Sequence, residues 1–68
     1  MPSYYVNKNA QSKGEHEVHK SGCSRLPETL NRIYLGEFER CAEAVKEAKK
    51  YYNNVDGCFY CSNECHTK

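Results

Sequence analysis

The sequence predicts an α+β fold, in which a small antiparallel sheet of about three short strands packs with one main C-terminal helix and is stapled by a metal site. Three observations lead there. Short aromatic and β-branched runs alternate with turn residues in the first half. One amphipathic run of helical period lies in the second half. The chain has 68 residues but only eight Val, Leu and Ile side chains. A core in a chain this short contributes about 3–5 kcal/mol, and small folds of this kind are completed by disulfides, a metal or a partner chain.

The elements follow in order. Ser3–Asn7 reads as a strand because Tyr-Tyr-Val is β-branched and aromatic. Residues 7–15 are rich in Asn, Lys, Ser and Gly, and read as a loop. Glu15–His19 reads as a second strand whose period of two puts His16 and Val18 on one face and His19 on the other. Leu26-Pro27-Glu28 is irregular, since a residue before proline is pushed out of the helical region. Ile33–Leu35 reads as a third strand, ended by Gly36. Residues 39–52 read as the helix. Cys41, Val45, Ala48 and Tyr52 fall on one stripe, with Glu43–Lys46 and Glu47–Lys50 as pairs on the wet side. No Ser, Thr, Asp or Asn offers an N-cap, and Asn53-Asn54 offers a left-handed stop. The expectation is one small domain over residues 1–68, frayed at 1–2 and 67–68.

Ten basic and nine acidic residues leave a formal charge of +1, without the basic excess typical of nucleic-acid binding. No run approaches the ~20 apolar residues of a membrane span. Met1-Pro2-Ser3-Tyr4-Tyr5 shows no basic stretch followed by an apolar run, so the expectation is a cytoplasmic protein. In a reducing compartment, paired cysteines serve metal binding or redox work more often than structural disulfides. The five cysteines cannot all pair within one chain.

Two spaced pairs carry the chemistry. His19 and Cys23 are separated by three residues, and Cys58 and Cys61 by two. Zinc takes four N or S ligands in a tetrahedron, commonly as two close pairs from separate parts of a chain. The 34 residues between the pairs hold the third strand and the helix, so one ion ties both ends of the fold together. This predicts one structural zinc on His19, Cys23, Cys58 and Cys61, with Cys65 as an alternative ligand. The competing readings of Cys58 and Cys61 are a disulfide, free thiols, a redox pair or an iron–sulfur site. Cys41, on the apolar stripe, reads as a small core residue, and His16 as a surface or sheet-face residue. His66 adjoins Cys65 and is not expected to ligate beside it.

The same residues resemble a known family. A tyrosine-led strand precedes His19-x-x-x-Cys23. Asn31-x-x-Tyr34 follows, then an aromatic residue, a helix carrying Glu43-Ala44 and Ala48, and Gly57-Cys58-x-x-Cys61. This resembles the small zinc-binding domain at the N-terminus of the Ada DNA-repair methyltransferase, and more closely its relatives with histidine in place of the first cysteine. It also resembles small bacterial proteins ending in the same Cys-His-Thr. The resemblance implies zinc on the same four residues and a small sheet with a packed helix. It does not bring methyl transfer, because His19 stands where that family has its methyl-accepting thiolate.

Three functions follow as expectations. The first is a non-enzymatic zinc module, favoured as a monomer, that acts as a binding or interaction domain for a protein partner or DNA. Glu17 and Glu64 are the only carboxylates offered as a base, and they read as surface residues. The second is DNA binding through a face carrying Lys8, Lys13, Lys20, Arg25, Arg32 and Arg40 with Tyr4, Tyr5 and Tyr34. The third is a thiol redox or metal-sensing role for Cys58, Cys61 and Cys65.

Overall fold

The protein is described by a computed structural model covering residues 1–67. Four strands form one sheet in the order β3-β1-β2-β4: β1 is Ser3–Asn7, β2 His16–Lys20, β3 Arg32–Glu37 and β4 Val55–Gly57. One α-helix, α1 (Cys41–Ala48), lies between β3 and β4, and 3-10 turns span Thr29–Asn31 and Asn63–Cys65. The sheet is mixed, with four strands where about three antiparallel ones were expected. β1 pairs antiparallel with both β2 and β3, while β4 runs parallel to β2. The helix is followed by a strand and is not C-terminal.

This topology requires two crossovers, because β2, β3 and β4 all run the same way. The β3-to-β4 crossover is α1, on one face. The β2-to-β3 crossover, residues 21–31, contains no α-helix. Its Cys23 lies beside His19, and Pro27 accepts a hydrogen bond from the Arg32 guanidinium at 3.0 Å. Register sorts the faces. Val6 sits opposite Val18, and Tyr5 opposite His19. Tyr4, Val6, Val18, Leu35 and Val55 pack with Cys41, Ala44 and Ala48 of α1 as the apolar core. His19 therefore projects to the other face, where residues 21–31 bring little apolar mass. Leu30 is 83% exposed, so it contributes nothing to a second core there.

β3 continues through Gly36, the expected stop. Gly36 has φ 126°, a conformation L side chains rarely adopt. The register with β1 shifts between Tyr4 and Tyr5, and Leu35 beside this irregularity is buried.

The helix is shorter than the expected 39–52. Residues 38–40 carry the chain from β3 onto the sheet, with Phe38 packed against Tyr4 at 6.3 Å. The Glu43 carboxylate accepts the Arg40 N–H at 3.3 Å, which supplies the cap that no short polar residue offers. At the other end, the N–H groups of Lys50 and Tyr51 turn to carbonyls three residues back. No non-glycine residue among those described has positive φ, so Asn53-Asn54 does not form the left-handed stop. Tyr52 leaves the helix to stack on His16, with centroids 3.7 Å apart. The buried stripe is Cys41, Ala44 and Ala48, with Val45 and Tyr52 only partly buried. Of the two expected helix pairs, Glu47–Lys50 closes at 3.1 Å, while Glu43 serves the cap.

β4 lies where the sequence reads only as a ligand-rich tail. Val-Asp-Gly has weak strand propensity and is made a strand by its parallel neighbour β2. Pro2 accepts the Phe38 N–H, and Thr67 bonds to Asp56; residue 68, the last of the expected frayed positions, lies outside the described residues. No helix is long and apolar enough to cross a membrane among the described residues.

Candidate metal centre

His19 ends up inside because Val18 must. A strand residue next to a core valine points to the opposite face, and crossover 21–31 closes over it. β2 ends at Lys20, and the Cys23 N–H bonds back to the Lys20 carbonyl at 3.1 Å. That tight turn returns Cys23 to within 3.7 Å of His19 Nδ1. The second pair arrives from β4. The Cys58 N–H donates to the Val18 carbonyl at 2.9 Å, and the Ser62 N–H donates to the Cys58 carbonyl at 2.9 Å, folding Cys58–Cys61 into a knuckle.

One donor atom from each of His19, Cys23, Cys58 and Cys61 lies within 4.8 Å of the others, and this group could hold a metal ion. Cys23 and Cys58 sulfurs are 3.9 Å apart, and Cys61 Sγ is 3.9 Å from His19 Nδ1. Among the described residues, the largest fully buried side chains include His19 and Cys58, beside Val6 and Val18. The face that lacks apolar mass is thus filled by ligand-type groups.

Backbone donors surround the sulfurs. The Lys20 N–H reaches Cys61 Sγ at 3.2 Å, and the Arg25 N–H reaches Cys23 Sγ at 3.4 Å. Such bonds favour the thiolate form. Burial works the other way and pushes the Cys61 thiol up to about 12; the neighbouring Cys23 and Cys58 add to this, and the Lys20 N–H opposes it. Without a cation, crowded thiolates at this spot are unfavourable. Burial also lowers the His19 pKa, which keeps the ring neutral and able to ligate. His19 Nε2 is sealed from solvent without a hydrogen bond, with Glu17 Oε1 3.6 Å away. Burial raises the Glu17 carboxyl, and Glu15 and Asp56 raise it further against His66 and Arg25.

Cys65 does not join the group. Its sulfur is bonded to Cys41, with Cα atoms 6.2 Å apart. The reason is local: turn Asn63–Cys65 sets the Cys65 backbone against Gly57 and aims its side chain at the start of α1. Cys41 is buried in the core, as its place on the stripe implies, and it is also half of a disulfide. His66 turns to β4, where its Nδ1 lies 3.0 Å from Asp56 Oδ2 and 3.1 Å from the Gly57 carbonyl. Thr67 donates to Asp56 Oδ1 through both its N–H and its hydroxyl, each at 2.9 Å. The Cys-His-Thr ending therefore latches the tail to the helix and to β4.

Sequence reasoning missed the Lys20 N–H as a sulfur donor and Asp56 as the anchor of the tail. Nothing in the spacing marks a contact 41 residues long. Asp56 carried a weak signal, as an acidic residue inside a segment otherwise rich in ligand types. Compared with known proteins, the chain matches no family model, no curated protein and no solved structure.

Proposed function

We propose that this chain is a structural zinc module, a relative of the zinc-binding domain of the Ada repair methyltransferase with one histidine and three cysteines as ligands, and that it serves as a binding or interaction domain. The observation that carries the metal reading is the cluster of four donors drawn from two distant pairs. Zinc–sulfur bonds of about 2.3 Å and zinc–nitrogen bonds of about 2.0–2.1 Å in a tetrahedron give S···S edges of about 3.8 Å and N···S edges of about 3.6 Å. Three of the six donor separations, at 3.7, 3.9 and 3.9 Å, lie within about 0.3 Å of these edges, and all six lie within 4.8 Å. All four positions are protein side chains, the pattern of a closed structural site. Three thiolates and a dication change the formal charge by −1, so the loaded chain is near neutral.

Cobalt titration tests this reading. One equivalent of Co(II) should give intense tetrahedral d–d bands and sulfur charge-transfer bands, both bleached by zinc; weak octahedral bands would remove the reading. Affinity should also depend on pH. Zinc must displace a proton from Cys61, whose thiol is pushed up to about 12, whereas His19 already lacks its proton at pH 7. Protons compete with the metal, so apparent zinc affinity should rise at least about tenfold per unit from pH 7 to 8. Chelator competition at the two pH values measures it, and equal affinities would contradict the proton displacement.

The DNA reading loses Tyr4, which is buried in the apolar core, but keeps separate support. Arg25 lies 4.3 Å over the Tyr60 ring, and Arg32 lies 4.6 Å over Tyr5. Tyr60 is 62% exposed, which leaves part of its ring accessible to a base. Titration of the zinc-loaded protein with single- and double-stranded DNA at low salt decides it, and a flat response ends it.

A further inference from the structure

One covalent bond lies next to the four-donor group. Cys41 opens α1, and Cys65 closes a 3-10 turn that begins two residues after Cys61. The Cys65 N–H bonds to the Ser62 carbonyl, and the Ser62 N–H to the Cys58 carbonyl, each at 2.9 Å. The knuckle and Cys65 are thus one hydrogen-bonded run. Cys65 also bears on the other end of the knuckle. A Cβ placed on Gly57, just before Cys58, would lie 2.6 Å from the Cys65 Cβ. Cys65 therefore braces the chain on both sides of Cys58 and Cys61, and the disulfide fixes that brace to the helix. A groove of about 550 Å³ has both Cys41 and Cys61 in its walls, so one half of the disulfide and a candidate metal ligand border the same space.

We propose that the Cys41–Cys65 disulfide is a redox latch on the metal centre. Closed, it holds the knuckle in the metal-binding arrangement. Open, it frees the brace, and the metal is held less tightly. The reductant is a thiol of the glutathione class. Its thiolate attacks one sulfur of the bond and forms a mixed disulfide, and a second thiolate resolves it. The S–S bond of the protein breaks, Cys41 and Cys65 leave as two thiols carrying two protons, and the two reductant sulfurs form the new disulfide. Linkage makes the effect reciprocal. If closing the bond strengthens metal binding by some factor, bound metal favours the closed bond by the same factor. The latch rests on the metal reading above.

The test uses zinc. Zinc affinity is measured by chelator competition for the oxidised wild-type protein, for the same protein reduced with a phosphine, and for the Cys41→Ala/Cys65→Ala variant. The expected result is binding at least about tenfold weaker in both altered forms, the size of effect seen when groups supporting metal ligands are removed. Reduced wild-type protein that binds within twofold of the oxidised form overturns the latch, even if the variant is weak, because the variant alone would then report lost packing. The reciprocal measurement needs no variant. In glutathione buffers, zinc should shift the half-reduction ratio by the same factor, and an unshifted ratio also overturns the proposal. Oxidised wild-type protein that binds no zinc would instead defeat the metal reading, and the latch with it.

Discussion

Cys58→Ser is expected to cost the protein most of its metal affinity and its ordered fold. Cys58 is 1% exposed, and its sulfur is one of the four donors, 3.9 Å from the Cys23 sulfur. A serine hydroxyl is a poor zinc ligand at neutral pH, and it would be buried beside two thiols. Zinc binding in small domains is worth on the order of 10 kcal/mol and is coupled to folding. Loss of one of four ligands should weaken zinc binding by at least ~100-fold, beyond the ~10–100-fold cost of removing a group that only supports a ligand. The measurement is zinc stoichiometry after dialysis against a weak chelator, with amide dispersion by NMR as the readout of folding. Glu64→Gln, on an exposed side chain outside the donor group, is the matched control and should keep both. Full zinc retention by Cys58→Ser would remove Cys58 from the site.

Gly57→Ala is expected to be the most damaging change at a residue with no side chain. Its Cβ would fall 2.6 Å from the Cys65 Cβ, 2.6 Å from the Ser62 carbonyl oxygen and 2.8 Å from the Cys65 carbonyl carbon. Two of these three are backbone atoms, and Cys65 is tied to α1, so none can swing aside cheaply. Overpacking of this kind costs about 1–3 kcal/mol, and more where the neighbours are fixed. For a domain of this size each kcal/mol lowers the melting temperature by roughly 4–8 °C, so a fall of about 10 °C or more is expected in the zinc-loaded protein. Gly22→Ala makes the comparison, because a Cβ there meets nothing within 4 Å. Gly22 has φ 88°, so some backbone strain is expected, but no clash. Equal melting temperatures for Gly57→Ala and wild type would mean that Cys65 does not press on the knuckle.

Part of this architecture was legible in the sequence for identifiable reasons. The first three strands announce themselves by local composition, and His19 and Val18 sort to opposite faces by the period of two. The two spaced pairs, His19 with Cys23 and Cys58 with Cys61, are the ones the fold brings together. Their spacing is a local property, and a tight turn turns it directly into geometry. What was hidden depends on distant residues. Asp56 and Gly57 enter a strand only because β2 offers a parallel partner, opposite Glu17 and Val18. The Cys41–Cys65 bond spans 24 residues, and cysteine spacing alone does not give connectivity. The helix ends are set by Glu43 reaching back to Arg40 and by Tyr52 leaving to stack on His16, neither of which a stripe of apolar residues records.

The central claim is that one zinc ion, held by one histidine and three cysteines, replaces the apolar core missing from the second face of the sheet. X-ray absorption at the zinc edge on the purified, zinc-loaded protein measures that shell directly. The expected result is three sulfurs at about 2.3 Å and one nitrogen at about 2.0–2.1 Å. A shell dominated by oxygen, a shell of four sulfurs, or a protein that retains no zinc would contradict it.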